Sequence, residues 1–490
     1  MIGRRAVILR RRSKEAGQVK KGKIAGLLIV VILLTVSSVS VYGYTKPQPE
    51  GVDYAGAEHR SDAVEFLYDL TYEKNGRAVV EQNVYDRMLS VIEEAGEFVV
   101  VDMFLYNNFQ EPEQDYPDMA GPFTEALVKA KETNPDLTVY VMTDEINRSY
   151  GAHKSPHIEK LREHGIEAHY FDNSELRDPA PAYSGVWRTF LQWWGKGGEG
   201  WIPNAQSSSL PDVPLRSYLE ALNLKGNHRK LVFSEKEAIV TSLNAQGRGA
   251  YNSNFAFSVQ GAAIGDLLFT ERVTADMSGV DFPIKNPIPA ASNQNGAYSV
   301  QVLTEKAIKT TILEEIEQAE KIDVAAFYLS DRDLVKGLIR AAERGIPVRI
   351  ILDPNIHAFG REKPGIPNQV VAHELREKAP DSLEIRWYNT AKKEQYHTKL
   401  FAFQKGGETT LIGGAANFTK RNIGGFNLET NLKVSGDDHT KVMQDVQDYF
   451  DRLWTNEGGK FTQSVSAYEE DSWWKHKLYI LQERTGFSTY

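Results

Sequence analysis

Beyond residue 80, apolar and polar positions in this chain form two recognisable patterns that alternate. Apolar side chains first recur at the spacing of a helix and then fill a continuous run that is typical of a buried strand. Four segments share this order of helix and strand: 84–106, 123–145, 309–331 and 333–355. The second strand ends at Asp144 in the first half of the chain and at Asp353 in the second half. The pattern therefore predicts an α/β fold that is built twice.

The amino-terminal pattern is different, because a basic segment precedes a stretch without any charge. Residues 1–23 contain nine Lys and Arg residues and one acid, whereas residues 24–44 are uncharged and mostly apolar. About 20 such residues span a bilayer as a helix. The basic flank is expected to stay in the cytoplasm, which places the remaining chain outside the cell membrane on a single-pass anchor. A signal peptide cleaved after residue 43 is the alternative, and the length of the basic segment favours the anchor.

Each half then reaches a predicted strand that opens with histidine and lysine two positions apart. His228 and Lys230 begin an apolar run in the first half, and His397 and Lys399 begin one in the second. Side chains of an extended strand alternate between its faces, so each pair should point the same way, about 7 Å apart. A third copy of the spacing, at His439, lies in a stretch with helical period, and we expect it to be a solvated helix start.

Both strand copies continue into a predicted hairpin. A polar turn follows each apolar strand, and the returning strand closes on Asn244 in the first copy and on Asn417 in the second. A hairpin brings its end back to its beginning, so Asn244 is expected near His228 and Asn417 near His397. Glu429 follows the second copy in a strand-like alternation.

These paired motifs resemble the phospholipase D superfamily, whose mark is a duplicated H-x-K-x4-D with a downstream G-S-x-N and often an acid. The resemblance covers residues 60–457 and implies two homologous α-β-α lobes that share one central active site. It also implies a set of catalytic residues: His228, Lys230, Asn244, His397, Lys399, Asn417 and Glu429.

The chain departs from the family pattern at several positions. Glu235 and Gln404 stand where the motif has Asp, Ala415 replaces the serine of the second copy, and the first copy offers Asn252 or Asn254 in place of its acid. The motif Asp of the family lies at the hairpin turn and serves structure more than chemistry. Loss of this Asp is therefore compatible with catalytic activity. The alternative is a degenerate, non-catalytic protein that binds head groups.

The family mechanism, as the resemblance implies it, needs two imidazoles in different protonation states. A neutral imidazole attacks the phosphodiester and forms a phosphohistidine, and a protonated one donates to the leaving alkoxide and then activates water or an alcohol. Lysine and asparagine side chains stabilise the phosphoryl oxygens. The acid after one motif often braces the histidine of the other half, so Glu429 is expected to hold His228 as the nucleophile, with His397 as the acid.

The domain boundaries follow from changes in pattern and composition. Six segments are predicted: a basic cytoplasmic segment 1–23, a transmembrane anchor 24–44, a first lobe 60–275, a Pro- and Asn-rich linker 276–298, a second lobe 299–457 and a tail 458–490. About 40 extra residues lengthen the first lobe and include residues 185–209, which are rich in Trp and Gly. These tryptophans could cover the site, touch lipid or pack the insertion onto the lobe. A tail helix could likewise meet the membrane or pack on the protein.

Charge and composition restrict the partners. The chain has no cysteine, which removes disulfides, thiolate nucleophiles and Cys-ligated metals. Its net charge is -9, and the net +8 of residues 1–23 leaves about -17 for the rest, which disfavours nucleic acid as a partner. The sequence shows neither HExxH nor a carboxylate cluster at metal-ligand spacing. We expect no metal or cofactor, a phospholipid substrate and a monomer whose two lobes form an intramolecular pseudo-dimer.

The leading interpretation is therefore a membrane-anchored, extracytoplasmic phosphodiesterase of the phospholipase D type. It would hydrolyse or transfer phospholipid head-group esters. The alternatives are a phosphatidyltransferase of the cardiolipin synthase kind, an exported metal-independent nuclease and the non-catalytic head-group binder.

Overall fold

The structure is a computed structural model that describes most of the chain. The described residues are 2–111, 113–195, 200–285, 295–358, 361–379, 382–488 and 490. Residues 286–294 of the predicted linker, and residues 196–199 of the Trp- and Gly-rich segment, lie outside them.

The helices of the four repeated segments lie where the helical spacing of apolar residues predicts them. They are α1 Ile2–Thr45, α2 Val84–Glu94, α3 Ala120–Thr133, α4 Pro156–Glu163, α5 Pro181–Val186, α6 Leu215–Ala221, α7 Ala263–Met277, α8 Glu305–Gln318, α9 Arg332–Glu343, α10 Asn368–Lys378, α11 Lys420–Ile423, α12 Lys441–Thr455 and α13 Trp473–Thr485. A π-helical turn, Trp187–Leu191, continues α5. The third His-x-Lys copy lies at the start of α12, where His439 is exposed, as predicted for a solvated helix start.

The strands are mostly short. They are β1 His59–Ser61, β2 Val64–Tyr68, β3 Leu70–Lys74, β4 Arg77–Glu81, β5 Phe98–Met103, β6 Tyr106–Asn107, β7 Thr138–Asp144, β8 Glu167–Phe171, β9 Lys230–Ser234, β10 Ala238–Thr241, β11 Ala245–Gln246, β12 Phe255–Val259, β13 Tyr298–Thr304, β14 Lys321–Ala326, β15 Val348–Leu352, β16 His357–Ala358, β17 Arg361–Glu362, β18 Leu383–Tyr388, β19 Lys399–Lys405, β20 Glu408–Gly414, β21 Thr430–Asp437 and β22 Thr462–Ser464.

Two large mixed sheets contain most of these strands. The first sheet has the order β2-β12-β10-β9-β5-β7-β8, and the second has the order β1-β13-β21-β20-β19-β14-β15-β18-β22. In each sheet the three strands of the helix–strand repeats are parallel, and the His-x-Lys hairpin is antiparallel to them. The predicted α/β class is confirmed. The common origin of two lobes stays a prediction, and the shared order of seven strands supports it.

Local sequence explains why the helices lie where they do, and α9 is an example. Asp331 accepts hydrogen bonds from the N–H groups of Asp333 and Leu334 and so caps the first turn. Apolar residues at helical spacing then bury one face of the helix, and the chain leaves it through Gly345, whose φ is +82°.

The core has three parts. One apolar cluster lies between the first sheet and α2, α3 and α4, and another lies between the second sheet and α8, α9 and α10. A third joins the two sheets and includes Phe255 of β12, Leu411 of β20 and Leu432 of β21. The sheets approach closely at Gly413, where a Cβ atom would lie 2.6 Å from the Phe255 ring and 2.9 Å from the Lys399 carbonyl oxygen.

The amino-terminal helix contains a candidate membrane span. Residues Lys20–Thr45 are long and apolar enough to cross a bilayer, and their most apolar window is not buried by the rest of the described chain. The carboxyl end of this helix contacts the protein, because Asp178 N–H donates to the Gly43 carbonyl (2.9 Å) and the ring of Tyr44 packs on Phe426 (5.4 Å).

The predicted tail is structured. Strand β22 pairs with β18 at the edge of the second sheet, and α13 packs against α10. Tyr479 of α13 is buried and donates to the Ser330 carbonyl, while Glu483 accepts from the Ser330 hydroxyl. The tail helix thus packs partly on the protein, although Trp473 and Trp474 at its start are exposed.

Candidate active site

The two predicted histidines lie just before regular strands. Strand β9 begins at Lys230 and β19 at Lys399, because the backbone of each histidine pairs with the opposite half of the chain instead. His228 N–H donates to the Leu428 carbonyl and His397 N–H donates to the Ser253 carbonyl, both at 2.9 Å. These reciprocal contacts bring the two motifs to the boundary between the sheets.

His228 is held by the acid that follows the second motif. Its Nδ1 lies 2.9 and 3.0 Å from the two carboxylate oxygens of Glu429, and the amide of Asn422 donates to the same carboxylate. The Glu429 N–H in turn donates to Glu305 (3.0 Å). With Nδ1 occupied, Nε2 is the ring nitrogen left for chemistry.

His397 has a neutral partner at the matching position. Its Nδ1 lies 3.1 Å from Oδ1 of Asn254, the residue after Ser253, as Glu429 is the residue after Leu428. Of the two asparagines that could stand for the missing acid, Asn254 is therefore the one that contacts the histidine. An amide accepts the Nδ1 proton but, unlike a carboxylate, cannot balance a charge on the ring.

The two lysines lie behind the histidines. Lys230 Nζ donates to the His228 carbonyl (2.7 Å) and Lys399 Nζ donates to the His397 carbonyl (2.6 Å). Both side chains are fully buried, and they are not part of the cavity wall described below. Their contribution is therefore a positive charge at short range rather than a surface contact.

A cavity of about 260 Å³ lies at this boundary, and both histidines line it. Asn244 and Asn417 line it as well, so each hairpin does return its asparagine to the region of its histidine. Asn244 Oδ1 accepts from Leu105 N–H (3.1 Å), whereas Oδ1 of Asn417 is buried without a hydrogen-bond partner among the described residues. Four of the seven predicted residues thus face one cavity, and the other three lie directly behind them.

Sequence reasoning missed two arginines in the cavity wall. Arg248 and Arg421 each stand four positions after the motif asparagine, and both line the cavity. Each donates to one backbone carbonyl, and each Nε is buried without a partner in the described part of the chain. The equal offset in both copies was the signal that could have revealed them.

Sequence reasoning also missed two phenylalanines, which lie outside the His-x-Lys motifs. Phe104 follows β5 and its ring lies 4.6 Å from that of His228, while Phe327 follows β14 and lies 5.0 Å from the ring of His397. Each ring also lies within about 5 Å of the lysine of its own motif. Both phenylalanines line the cavity and limit the orientations open to the imidazoles.

The strand-end acids Asp144 and Asp353 position the backbone before each histidine. Asp144 accepts from Asn227 N–H (2.8 Å), and Asp353 accepts from Tyr396 N–H (2.7 Å). Burial raises the pKa of each carboxyl to about 7. Glu235, which replaces the motif Asp of the first copy, likewise accepts three backbone N–H groups at the start of β5.

Burial and neighbouring positive charge dominate the electrostatics. Burial, with the charges of both lysines, lowers the pKa of His228 and of His397 well below 6.5. Burial also lowers the pKa of Lys230 to about 7 and raises that of Glu429 to about 8. The environment of the cavity therefore disfavours extra protons on its imidazoles, and a bound anion would reverse this effect.

Among the described residues, no group of three or more His, Asp or Glu side chains is arranged to hold a metal ion.

Comparison with known proteins gives one family match and a similar overall fold. Residues 312–454 match the family described as "Cardiolipin synthase, PLD-like domain". No curated protein matches the chain. The fold is similar to that of the phosphatidylserine synthase of Haemophilus influenzae Rd KW20, at 12% identity and a TM-score of 0.57, over 88% of this chain and 95% of that one.

Two further solved structures align less well. A polyphosphate kinase from Porphyromonas gingivalis is 12% identical over 87% of this chain and 54% of its own, with a TM-score of 0.44. The phospholipase D family member Nuc from Salmonella typhimurium is 20% identical over 34% of this chain and 99% of its own, with a TM-score of 0.27. Residues 312–454 thus match a phospholipase D-like domain, and the resemblance predicted from the motifs is confirmed for this part of the chain.

Proposed function

We propose that this protein is a membrane-anchored enzyme that cleaves or transfers phospholipid head-group esters through a phosphohistidine on His228. The observation that carries the proposal is the placement of His228 and His397 in one cavity, each with Nδ1 held by a residue of the opposite half. Because Nδ1 of each imidazole is occupied, Nε2 is the atom of each ring that would take part in a double displacement at phosphorus.

The two partners of the histidines support different roles. When Nε2 of His228 attacks phosphorus, the ring becomes cationic, and Glu429 stabilises that charge in its ionised form. As the phosphorus–oxygen bond to the leaving group breaks, His397 gives its Nε2 proton to the departing alkoxide. His397 is braced by the amide of Asn254, which holds the ring without making it a permanent cation.

The second half-reaction returns the site to its starting state. His397 takes a proton from a water or an alcohol, whose oxygen attacks phosphorus as the bond to His228 breaks. Water gives hydrolysis, and an alcohol gives transfer. His397 must begin protonated although burial lowers its pKa, and the bound phosphodiester anion supplies the compensating negative charge.

The cations around the cavity support an anionic substrate. Lys230 and Lys399 lie behind the histidines, and Arg248 and Arg421 add guanidinium groups to the wall. Neither arginine has a carboxylate within ion-pairing distance among the described residues, so both retain donors for phosphoryl oxygens. The cavity is therefore surrounded by positive charge although the chain as a whole has a net charge of -9.

The membrane part of the proposal rests on α1. Its basic amino-terminal flank favours a cytoplasmic location, which puts the catalytic part outside the cytoplasm on an uncleaved single-pass anchor. The hydrogen bond from Asp178 N–H to the Gly43 carbonyl favours an anchor that is retained, because cleavage after residue 43 would separate these two residues.

Trapping of the covalent intermediate tests the assignment. We expect His228→Asn to abolish labelled phosphoenzyme with labelled phosphatidylglycerol, whereas His397→Asn should still form it and release product slowly. His439→Asn, in the third copy of the spacing, is the matched control and should behave like the unaltered protein. Labelled intermediate in His228→Asn but not in His397→Asn would reverse the two roles.

Product analysis separates hydrolysis from transfer. Phosphatidic acid from phosphatidylglycerol would indicate water as the acceptor, and cardiolipin would indicate a second lipid alcohol. Absence of all turnover with retained lipid binding would contradict the enzymatic proposal.

A further inference from the structure

The Trp-rich insertion of the first half packs against the candidate membrane span. A Cβ atom on Gly185 of α5 would collide with Ser40 Oγ and lie 2.8 Å from the Val36 carbonyl oxygen, so the two helices are in close contact. Small residues permit such close approach between helices in membranes. Ser40 lies five residues before Thr45, the last residue of α1, which is a rise of about 7.5 Å along the helix.

Polar contacts fix the insertion at the end of the span. Lys46 Nζ donates to the Ser174 carbonyl (3.1 Å), and Arg177 Nε donates to the Lys46 carbonyl (2.7 Å). Asp178 is ion-paired with Arg188 (2.5 Å) and with Lys225 (2.8 Å). These paired charges therefore lie beside the carboxyl end of the span.

The segment beside the span is almost free of charge. Residues 179–194, PAPAYSGVWRTFLQWW, contain one charged side chain, Arg188, and it is paired with Asp178. Trp187 is buried under Arg216, whose guanidinium lies 4.3 Å from the ring. In contrast, Trp193 is 75% exposed, Trp194 is 50% exposed and Trp201 is 69% exposed.

We propose that α5, its π-helical turn and the exposed tryptophans form a second membrane-docking surface that lies in the outer part of the bilayer beside α1. Tryptophan prefers the interface between hydrocarbon and head groups, where its ring is partly apolar and its N–H remains solvated. The occupant follows from the neighbouring span, since a surface packed against a membrane helix meets the same lipid that surrounds that helix.

This surface adjoins the catalytic cavity on two sides. Lys225, which pairs with Asp178 of the insertion, lines the cavity. On the other side, Tyr44 at the end of the span packs on Phe426, whose neighbour Asn427 also lines it. The docking surface would thus hold the cavity at head-group level. This consequence for substrate entry rests on the proposed function, whereas docking itself does not.

Depth-dependent quenching tests the docking without turnover. The full-length protein would be reconstituted in vesicles of phosphatidylglycerol and phosphatidylcholine that carry bromine at defined acyl positions. We expect strong quenching of tryptophan fluorescence by shallow bromines, and loss of most of it in the triple variant Trp193→Phe/Trp194→Phe/Trp201→Phe. Phenylalanine keeps the surface apolar, so folding and insertion should be retained.

The tail helix supplies a matched control. Trp473 and Trp474 are 74% and 50% exposed, close to the values of Trp193 and Trp194. Trp473→Phe/Trp474→Phe should keep most of the quenching. A loss as large in this control as in the triple variant, or no loss in the triple variant, would overturn the proposal.

A second variant separates docking from catalysis. Trp193→Glu/Trp194→Glu should lower turnover of vesicle phosphatidylglycerol about tenfold, because the reacting groups lose their orientation to the bilayer, and leave turnover of a short-chain soluble phosphodiester unchanged. An equal fall on both substrates would contradict a docking role. If the unaltered protein turned over neither substrate, the proposed function would fail while the quenching result would still decide the docking.

Discussion

At the scale of single residues, the asymmetry between two otherwise matching histidines is the most informative feature. His228 faces a carboxyl group and His397 faces an amide at the same position of the opposite half. Only the first pairing can neutralise a ring that becomes cationic in a covalent intermediate. The chemical difference between the two steps of the proposed reaction therefore lies in one pair of residues, Glu429 and Asn254.

The low pKa of a buried lysine gives a prediction of pH dependence. Lys230 is expected to lose its charge around pH 7, and Glu429 to gain one around pH 8. Both changes make the cavity more negative, so affinity for sulfate, whose own charge is constant, should fall between pH 6 and pH 9. Each titrating group accounts for up to about tenfold per pH unit.

Calorimetric titration with sulfate in detergent measures this effect. Lys230→Met should bind sulfate more weakly at pH 6 and show a flatter profile. A flat or rising affinity in the unaltered protein would contradict the electrostatic description of the cavity.

At the scale of elements, the strands hold the motifs and the strand ends place the histidines. Each His-x-Lys strand pairs antiparallel with a strand, β5 or β14, that is followed by a phenylalanine. An acid at the end of the next strand, β7 or β15, fixes the residue before the histidine. Residues outside the motifs therefore determine how closely each imidazole is positioned.

Removal of one strand-end acid should loosen one half of the site. Asp353→Ala leaves the buried N–H groups of Tyr396 and Asn355 without their acceptor. An unsatisfied buried donor costs about 1–3 kcal/mol, so the free energy of unfolding should fall by at least that amount, and turnover should fall with it.

Denaturant unfolding in detergent measures the loss. Asp353→Asn keeps one carbonyl oxygen as an acceptor and should lose less, and Asp144→Ala should resemble Asp353→Ala because Asp144 has the matching role. Unchanged stability in both alanine variants would show that these carboxyls do not support the backbone.

At the scale of the whole molecule, a buried ionic network joins the two sheets near the site. Arg229, between His228 and Lys230, pairs with Glu271 of α7 (2.8 Å) and with Glu305 of α8 (3.2 Å). Glu305 also accepts the N–H of Glu429. The network thus connects the first motif to the backbone of the acid that braces its histidine.

Breaking this network should affect stability and the site together. Arg229→Met leaves two buried carboxyl groups without their cation and should lower the free energy of unfolding by about 3–5 kcal/mol. Arg340→Met removes the cation of an exposed pair with Glu317 and should cost about 0–1 kcal/mol. Denaturant unfolding in detergent compares them, and equal losses would contradict the structural importance of the buried network.

Sequence patterns predicted much of this fold and a large part of the site. The spacing of apolar residues predicted four helix–strand pairs: α2 and β5, α3 and β7, α8 and β14, and α9 and β15. The prediction succeeded because local conformational preference and burial agree in these segments. The histidines, lysines and asparagines were found because two copies share one spacing. Arg248, Arg421, Phe104 and Phe327 were missed because they lie outside the motif, although both arginines stand four positions after the motif asparagine and both phenylalanines directly follow a buried strand.

The sequence by itself determined the α/β class, the apolar amino-terminal segment and the residue types that could act on a phosphodiester, since these depend on local period and composition. Only the tertiary structure decided that the two motifs share one cavity, that Asn254 rather than Asn252 faces His397, and which tryptophans are exposed beside the span. These outcomes depend on contacts between residues more than a hundred positions apart. Such contacts are fixed by how the two sheets pack, and no local period encodes that packing.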